Sequence, residues 1–570
     1  MSAPVRVRRR PAVEAGDWPA DVPPLLRRIY AARGAASIDQ ARPRLAQLLP
    51  PDLLGIEAAV ELLAAAIANG RHILVVGDFD CDGATACATA VRGLRMLGAR
   101  HVTHAVPNRQ VHGYGLSPAL VEELAAQAPD LLVTVDHGIA CHAGIEAAKA
   151  RGWQVLVTDH HLPGEHLPPA DAIVNPNQPG CRFQSKSLAG VGVVFYVLLA
   201  LRRHLRDAGC LPAPEPDLAQ LLDLVAVGTV ADLVPLDANN RALVAAGLRR
   251  LRSGRGCAGL QALVEVSGRQ LSQLTATDIG YAVAPRLNAA GRLEDMALGI
   301  ECLLSDDPAR ARELARMLEA INAERRAVQQ QMTAQAELAL SSIALERGAA
   351  PVAACLFDPG WHPGVVGLVA SKMKERLHRP VIAFAPAGPD DGVLRGSARS
   401  IPGLHIRDAL AAVDARRPGL MERFGGHAMA AGLSLARGHL DEFRQVFTDC
   451  VEALVDPAML LMELPSDGEL SAGELCHEVA VALREGGPWG QAFPEPQFDG
   501  VFQVQDWRVV GQRHLKLEVS TSGTRLSAIH FGGWRGSPPP RQVHLAYRLA
   551  TDDYRGGGAI QLIVEHLQAA

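Results

Sequence analysis

The sequence predicts a multidomain α/β protein with a parallel β-sheet near its N-terminal end and a small β-barrel at its C-terminal end. Short apolar runs rich in Val, Leu and Ile alternate with helical stretches such as 84–97 and 117–128, a pattern typical of βαβ units with buried parallel strands. From residue 500 onward, short strand patterns with close turns predict a barrel. The apolar runs of the parallel sheet lie at 72–76, 101–106, 130–135, 154–158 and 172–174.

The chain is too long for one hydrophobic core, since it has 570 residues, and several domains are expected. The pattern from 190 to 305 is helical. A polar stretch without Pro after Pro308 then predicts a long helix, beyond which strand patterns indicate a second, smaller α/β domain. The predicted division is an N-terminal extension at 1–70, a parallel-sheet domain at 71–305, a connecting helix at 306–346, a second α/β domain at 347–455 and a barrel domain at 456–570.

The composition is that of a soluble globular protein, with 48% hydrophobic and 21% charged residues. No run approaches the ~20 apolar residues of a membrane span. The basic N-terminus (Arg6, Arg8, Arg9, Arg10) lacks the apolar core of a signal peptide, so we interpret it as a disordered arm and expect a cytoplasmic protein. Ten cysteines without a C-x2-C pair indicate reduced thiols. A net charge of −5 means that nucleic acid would need a local basic groove.

Three carboxylates follow the first predicted strand of the parallel sheet. Asp78, Asp80 and Asp82 stand at alternate positions in GDFDCDG. Like charges this close repel one another, so ionised side chains here need cations to hold them together. A solvated acidic turn would give the same pattern. A calcium-binding EF-hand loop would not, because Thr89 stands where that loop requires a bidentate Glu.

Polar residues also follow the next three strands. Arg109 follows the second strand, Asp136 the third, and His160 and His161 the fourth. A lone Asp-His-His is usually a surface turn, but ligands of open α/β sheets bind outside the carboxyl ends of the strands, where these side chains meet. Carboxylates with one or two imidazoles suit Mn²⁺ or Mg²⁺ better than zinc. We therefore predict a two-metal site that hydrolyses phosphoester bonds, with Asp136 shared between the ions.

Two later segments are candidates to complete this site. Asp232 follows a helical apolar stretch and would add a carboxylate, although a helix-capping Asp is an equal alternative. Arg286, Asn288 and Arg292 flank small residues that let a phosphate approach closely. The end of an amphipathic helix would also explain these three residues.

The second α/β domain contains Gly-containing turns that suit an anion. A strand-to-helix turn offers backbone N–H groups to a phosphate, and small residues let a ligand come close to the backbone. The candidate side chains here are His362, Ser397, Arg399 and His427. Each of these segments is equally well explained as a tight turn.

Taken in order, these segments resemble the DHH phosphoesterases, a family named for an Asp-His-His such as the one at 159–161. They are more closely similar to the RecJ-type branch of single-strand-specific exonucleases. The similarity spans about 77 to 432, and the barrel is similar to the OB-fold of that branch. The matching motifs are GDFDCDGAT, PNR, VDHG, TDHH, GTVAD, RLNAAGR, WHPGVVG, SAR and GGHAMAAG.

The resemblance implies a DHH domain, a DHHA1-like phosphate-binding domain, an OB-fold and two Mn²⁺ or Mg²⁺ ions. One ion would be held by Asp78, Asp80 and Asp136, and the other by Asp82, Asp136, His160 and Asp232. His161 would position the scissile phosphate, so that the implied catalytic residues are Asp82, Asp136, His160 and His161. The implied DNA-binding residues are Arg109, His161, Arg286, Asn288, Arg292, His362, Ser397, Arg399 and His427.

The implied activity is 5′→3′ hydrolysis of single-stranded DNA to 5′-mononucleotides, in recombination, mismatch repair and the processing of stalled forks. The expected partners are single-stranded DNA, a single-strand-binding protein and a helicase, with a monomeric state and no membrane. Trp507, Phe531 and Trp534 are candidates to stack on the strand, although core packing explains each equally well. The alternatives are a DHH enzyme for short oligonucleotides or cyclic dinucleotides, and an inactive scaffold that binds single strands.

Overall fold

The computed structural model describes residues 5–13, 16–108, 111–347, 351–388, 392–552 and 558–570. The N-terminal segment contains one strand and three helices, and it packs against the segment that leads into the barrel. Tyr30 stacks on Trp18 and on Trp489, with ring centroids 5.7 Å and 5.9 Å away. The elements are β1 (Val5–Arg9), α1 (Pro24–Ala31), α2 (Ile38–Ala41) and α3 (Ile56–Ala68).

A five-stranded parallel sheet forms the centre of the first α/β domain, which confirms the predicted fold. Its elements are β2 (Ile73–Val76), α4 (Cys81–Met96), β3 (Val102–Ala105), α5 (Pro118–Leu124), β4 (Leu131–Val135), α6 (His142–Ala150), β5 (Gln154–Thr158) and β6 (Ala172–Val174). The strand order is β3-β2-β4-β5-β6, and every pair is parallel. β2 and β4 are buried along their whole length, as expected for strands covered on both faces. The carboxyl ends of β2, β4 and β5 therefore share one edge.

Helices complete this domain and lead out of it, as the sequence predicts. They are α7 (Gly190–Asp207), α8 (Leu222–Ala231), α9 (Ala238–Arg252), α10 (Ala258–Val266), α11 (Ala276–Asp278), α12 (Ala284–Leu293), α13 (Ala297–Leu304) and the long helix α14 (Pro308–Arg347). A π-helical turn at Ile279–Val283 leads into α12. Within the described ranges, none of the helices combines the length and the apolar character that a membrane crossing needs.

The second α/β domain contains a mixed five-stranded sheet of order β10-β11-β9-β8-β7. The elements are β7 (Ala354–Phe357), α15 (Val366–Leu377), β8 (Val381–Pro386), β9 (Val393–Arg399), α16 (Ile406–Arg416), β10 (Arg423–Gly426), β11 (Ala430–Ala436) and α17 (Leu440–Leu454). α15 packs on one face over β7 and β8, while α16 and α17 pack on the other face. On the α15 side, β9, β11 and β10 form one wall of a cleft.

A closed five-stranded barrel ends the chain and confirms the prediction for this region. Its strands follow the order β13-β14-β15-β17-β16 around the barrel. Alternate residues of the second barrel strand, such as Leu515, Leu517 and Val519, are buried and fill the interior. The elements are β12 (Met462–Ser466), α18 (His477–Glu485), β13 (Phe498–Val510), β14 (His514–Thr521), β15 (Thr524–His530), β16 (Gln542–Thr551) and β17 (Ile560–Ala569).

The prediction of a disordered basic arm at the N-terminus is wrong for the residues that the structure describes. β1 pairs in parallel with β12 along all five of its residues. Arg9 donates two hydrogen bonds to Asp499, from Nε to Oδ1 at 2.9 Å and from Nη2 to Oδ2 at 2.8 Å. Asp499 is buried and also accepts a hydrogen bond from Ser466. The basic segment is thus an ordered strand that ties the N-terminus to the barrel domain.

We expect Arg9→Ala to destabilise the protein by about 1–2 kcal/mol, because it leaves the buried Asp499 carboxylate without two charged hydrogen bonds. The loss stays below that of a fully buried pair because the Arg9 side chain is 55% exposed. Urea unfolding followed by tryptophan fluorescence measures the change. Arg8→Ala is the matched control, since the Arg8–Glu463 ion pair is exposed on both sides. Equal unfolding midpoints for the two variants would contradict the anchoring role of Arg9.

Candidate metal centre and the adjoining cleft

The predicted metal ligands lie at the carboxyl edge of the parallel sheet. Asp78 follows β2, Asp80 caps the N-terminus of α4, and Asp82 lies in the first turn of that helix. Asp136 follows β4 with a φ of 66°, in the left-handed region that Asp tolerates better than most residues. His160 follows β5. The strand order thus brings together side chains that are far apart in the sequence.

The cluster has the geometry of a site for more than one cation. His160 Nε2 lies 3.1 Å from Asp136 Oδ1 and 3.4 Å from Asp232 Oδ2. Asp136 Oδ1 and His160 Nε2 are buried and have no hydrogen-bond partner in the described structure. Three groups, each with ligand atoms within 4.8 Å of one another, are Asp78–Asp80–Asp136, Asp82–His160–Asp232 and Asp136–His160–His161. The structure therefore assembles all six predicted metal ligands, and Asp136 and His160 each belong to two groups.

Burial and mutual repulsion make this cluster costly to ionise without a cation. Burial, together with the charge of Asp80, raises the pKa of Asp82 to about 7. Burial also raises the pKa of Asp78, Asp136 and Asp232 well above the usual carboxyl range, with neighbouring aspartates adding to the effect. A divalent cation reverses this balance because it stabilises the ionised form. The carboxylate-rich donor set fits Mn²⁺ or Mg²⁺.

The N-terminus of α7 supports the cluster from behind. The backbone N–H groups of Gly190 and Val191 donate to Asp82 Oδ2 and Oδ1 at 2.7 Å and 3.1 Å. A Cβ atom on Gly190 would lie 2.4 Å from Asp136 Oδ1, so only Gly lets the helix come this close. A Cβ atom on Gly228 in α8 would lie 2.7 Å from Asp82 Oδ1. The carboxylates are therefore held in position by backbone contacts within the first domain.

Asp159 is a functional residue that the sequence reasoning left out of the site. Its Oδ1 accepts hydrogen bonds from the backbone N–H of His160 at 2.7 Å and from His161 Nδ1 at 2.8 Å. Its Oδ2 accepts from the N–H of Ile139 at 2.9 Å. Burial alone would raise the pKa of Asp159, but these hydrogen bonds and the charge of His161 lower it to about 2. Its place directly before two histidines was the signal that could have marked it as the residue that orients them.

Two asparagines beyond β6 also hold the histidine pair. Asn175 Nδ2 donates to the carbonyl of His161 at 2.9 Å, and Asn177 Nδ2 donates to the carbonyl of His160 at 2.6 Å. The NPN sequence at 175–177 contains no feature that would distinguish these residues from an ordinary turn. Their role follows only from the position of the loop beside the end of β5.

The surroundings of His160 and His161 shift the pKa values of the two imidazoles in opposite directions. Burial lowers the pKa of His160 to about 4, so its imidazole is neutral and can act as a metal ligand. Burial would also lower the pKa of His161, but the hydrogen bond and charge of Asp159 raise it to about 9. The raised pKa favours the cationic form of His161 at neutral pH, and its ring lies beside that of Tyr114 with a centroid separation of 6.1 Å.

A cleft of about 830 Å³ lies between the first domain, beside the loop of the metal cluster, and the second α/β domain. Phe79 and Tyr114 line it on the side of the first domain, together with the predicted Arg292. The predicted Ser397 and Arg399 line it on the opposite side. Arg399 Nη1 donates to Ser397 Oγ at 3.0 Å, which holds the guanidinium in place.

The remaining predicted phosphate ligands of the second domain, His427 and His362, lie near the cleft and in the turn before α15. His427 is exposed near the cleft, where burial and the charge of His161 both lower its pKa. His362 Nδ1 accepts a hydrogen bond from the backbone N–H of Gly364 at 3.1 Å, in the turn before α15. Arg109 lies outside the described residues. For these residues the assignment to DNA stays a prediction.

Arg286 and Asn288 are engaged inside the protein. Arg286 is buried, and its Nε pairs with Glu319 Oε2 of α14 at 2.5 Å. Asn288 Oδ1 accepts the backbone N–H of Cys81 at 2.8 Å, in the loop of the metal cluster. Their predicted contact with DNA stays untested, and their observed contacts position α12 against α14 and against the metal loop.

Comparison with known families defines the class of protein that carries this fold and site. A family model described as "DHH family, N-terminal domain" matches residues 72–229. Models described as "DHHA1 domain" and "RecJ OB domain" match residues 349–453 and 466–566. The chain is therefore a DHH-family protein with an additional barrel domain.

Relatives along the whole chain give a closer assignment. The single-stranded-DNA-specific exonucleases RecJ of Dickeya dadantii and Escherichia coli are 51% and 49% identical to it, over 100% of each chain. The crystal structure of Thermus thermophilus RecJ in complex with Mn²⁺ matches with a TM-score of 0.80 and 31% identity, over 100% of this chain and 80% of that one. A Mg²⁺ complex of the same protein matches with a TM-score of 0.75. The chain belongs to the RecJ family.

We expect Asp136→Asn to raise the thermal unfolding midpoint of the metal-free protein by a few degrees, because it removes one buried like charge from the cluster. Asn tolerates the left-handed backbone at this position. Because the pKa of Asp136 is raised, its ionised form is the costly one, and the gain is larger at pH 8 than at pH 5. Scanning fluorimetry after removal of metal with EDTA measures this gain.

The same substitution is expected to abolish most of the stabilisation that added Mn²⁺ gives to the unmodified protein. Asp207→Asn is the matched control, since Asp207 is exposed on α7, away from the cluster. A shift with Mn²⁺ that is equal in Asp136→Asn and in the control would contradict the assignment of Asp136 as a metal ligand.

Proposed function

We propose that this chain is a single-stranded-DNA-specific exonuclease that removes 5′-mononucleotides from the 5′ end, in DNA recombination and repair. The observation that carries the proposal is the position of Asp136, which joins two groups of candidate metal ligands beside a cleft lined by arginines. Membership of the RecJ family supports the same conclusion, since its named relatives are single-stranded-DNA-specific exonucleases. The proposed cofactors are two Mn²⁺ or Mg²⁺ ions.

Two ions held by these residues would polarise the phosphoryl group and stabilise the leaving oxygen. The side chains of this protein would set the positions of the two ions. Asp78, Asp80 and Asp136 would hold one ion, and Asp82, His160 and Asp232, with Asp136 shared, would hold the other. The backbone contacts of Asp82 and the left-handed conformation of Asp136 fix these carboxylates before any substrate arrives.

His161 has the properties of a phosphate-positioning residue. Asp159 holds its Nδ1 at 2.8 Å and keeps the imidazole protonated, so its other nitrogen can donate a charged hydrogen bond. The third ligand group places His161 beside Asp136 and His160. A non-bridging oxygen of the scissile phosphate would therefore meet both the metal cluster and a fixed cation.

The second α/β domain and the barrel would select for single strands. The cleft lies between two packed domains, so it would admit one strand and exclude a duplex. In the barrel, Trp507 and Trp534 stack on each other with centroids 5.5 Å apart and are partly buried, whereas Phe531 is 60% exposed. Phe531 is therefore the best placed of the three predicted residues to stack on a base.

The proposal extends to the cellular setting. A single-strand-specific nuclease needs a partner that separates duplex DNA, so we propose a helicase and a single-strand-binding protein as partners. We further propose that the protein acts as a monomer in the cytoplasm, where the DNA of a bacterium lies.

We expect a 5′-labelled single strand to release its label at once as a mononucleotide, while a 3′-labelled strand shortens gradually. A blunt duplex should persist, because the cleft admits one strand. Gel analysis of the three substrates with Mn²⁺ or Mg²⁺ measures these outcomes. Early release of the 3′ label would contradict the direction, and equal degradation of the duplex would contradict the selectivity. Faster turnover of a dinucleotide than of a long strand would favour a short-substrate DHH enzyme.

We expect Arg399→Gln to raise the KM for single-stranded DNA about tenfold, roughly 1.4 kcal/mol, with a smaller change in kcat. The reason is that Arg399 lies on the cleft wall across from the metal cluster, where it would bind a phosphate of the strand. Steady-state kinetics measure both constants. Lys372→Gln removes a charge from an exposed position on α15 and is the control. Equal KM values for the two variants would contradict a phosphate contact at Arg399.

A further inference from the structure

Two further arginines lie on the open part of the second sheet. Arg395 of β9 and Arg423 of β10 both stand directly opposite Ser434 of β11, the strand that lies between β9 and β10. Residues that face one another across paired strands project to the same side of a sheet. The three side chains therefore form one row, and all three line the cleft.

The row lies on the side of the sheet that α15 covers only in part. On β8, Ala383 and Ala385 pair with Ser397 and Arg395 and pack in the core beneath α15. Beyond β8 the same face continues onto β9, β11 and β10, which line the cleft. Arg395 and Arg423 are both exposed there, and neither has an ion-pair or hydrogen-bond partner for its side chain in the described part of the chain.

The floor between this row and Arg399 is lined by one small side chain, that of Ser397, and by two glycines. Ser397, Gly432 and Gly425 form the next row across the same three strands. A Cβ atom at Gly425 or Gly432 would meet nothing within 4 Å, so the space above both is open. An extended strand backbone can therefore lie flat on this surface.

Arg395, in the row with Arg423, and Arg399 are too far apart to bind the same phosphate. Arg395 precedes Arg399 by four residues on one strand, so their Cα atoms lie about 13 Å apart. Arg399 Nη2 lies 3.0 Å from the position of a Cβ atom on Gly367, and Gly364 of the preceding turn accepts a hydrogen bond from Arg292 Nη1 at 3.4 Å. Gly291, next to Arg292, packs against the carbonyl of Phe79 in the metal loop. The Arg399 end therefore faces the metal cluster, and the row of Arg395 and Arg423 is the far end of the cleft.

The charge of the cleft indicates what would bind at this far end. The described residues that line it include four arginines and no Asp or Glu. The two exposed guanidinium groups flank the largely buried Ser434 from the strands on either side, with their Cα atoms two strand spacings, about 10 Å, apart. Side chains of this length can reach the oxygens of one phosphate group from both sides. An acidic side chain of this protein to neutralise them is missing from that lining.

We propose that Arg395, Ser434 and Arg423 form a second anion subsite of the cleft, which binds a nucleotide phosphate remote from the one at Ser397 and Arg399. The proposal rests on the proposed function in taking the ligand to be a nucleotide. The phosphate has two sources: the strand that is bound for cleavage, or the mononucleotide that leaves after cleavage. The subsite lengthens the bound strand in the first case and guides product release in the second.

The test uses the full chain with Asp136→Asn, a variant that is expected to bind DNA without cutting it. Fluorescence anisotropy with a 5′-phosphorylated single strand measures affinity over a range of salt concentrations. If the phosphate belongs to the strand, R395Q/R423Q is expected to weaken binding about tenfold and to reduce the slope of log K against log salt by about 0.7, the value for one lost phosphate contact. R395K/R423K, which keeps the charge, is expected to recover part of the affinity.

A second measurement separates the two sources of phosphate. If the subsite holds the released product, R395Q/R423Q keeps its affinity for the strand and loses affinity for a deoxynucleoside 5′-monophosphate. R416Q/R444Q is the matched control, because both arginines are on helices of the opposite face, α16 and α17. Affinities for strand and mononucleotide that both equal those of the control would overturn the subsite.

The activity of the chain with native Asp136 is measured in parallel. If the protein hydrolyses single strands but R395Q/R423Q changes neither of the two affinities, the subsite is refuted and the proposed function stands. If R395Q/R423Q lowers the phosphate affinity but the protein with native Asp136 hydrolyses no single strand, the proposed function is refuted and the subsite stands.

Discussion

Repulsion among buried carboxylates is the constraint on which the rest of this structure depends. Asp78, Asp82, Asp136 and Asp232 lie within a few ångströms of shared neighbours, and burial disfavours the charge of each. Cations can relieve this repulsion, but they cannot by themselves set the geometry. The parallel sheet sets it, since β2, β4 and β5 end at one edge, and the N-terminus of α7 holds Asp82 with two backbone N–H groups. The metal centre is thus a property of the fold that cations complete.

The fold could be predicted where its signal is local. A run such as 72–76 is apolar along its whole length, and this alone indicates a strand buried on both faces. β1 could not be predicted, because its partner β12 lies about 455 residues further along the chain and the basic residues of β1 suggest disorder when read alone. The contact between Arg9 and the buried Asp499 explains the charge that misled the prediction. Non-local pairing leaves no trace in the periodicity of either segment.

The candidate site could likewise be predicted only in part. The carboxylates and His160 could be predicted, because ends of neighbouring parallel strands converge and the residue types are those of hard-metal ligands. Asp159 and Asn177 could not, since they act on the backbone and side chains of the histidines rather than on a ligand. For Arg286, the residue type suggests a role, but the sequence does not reveal the contact that the structure shows. Its chemistry suits a phosphate, yet the structure engages it with Glu319, a partner that sequence spacing does not reveal.

The ion pair between Arg286 and Glu319 also affects how the chain would separate phosphoester hydrolysis from the selection of its substrate. The first domain contains the whole metal cluster, whereas Ser397 and Arg399 belong to the second. The width of the cleft depends on α14, which joins the two domains. Arg286 fixes the helix to the first domain through Glu319, and Trp361 Nε1 fixes it to the second by donating to Gln335 Oε1 at 2.8 Å. A helix anchored to both domains holds the wall that contains Ser397 and Arg399 at a set distance from the metal cluster. Substrate choice can then change through the second domain and the barrel while the hydrolytic centre stays constant.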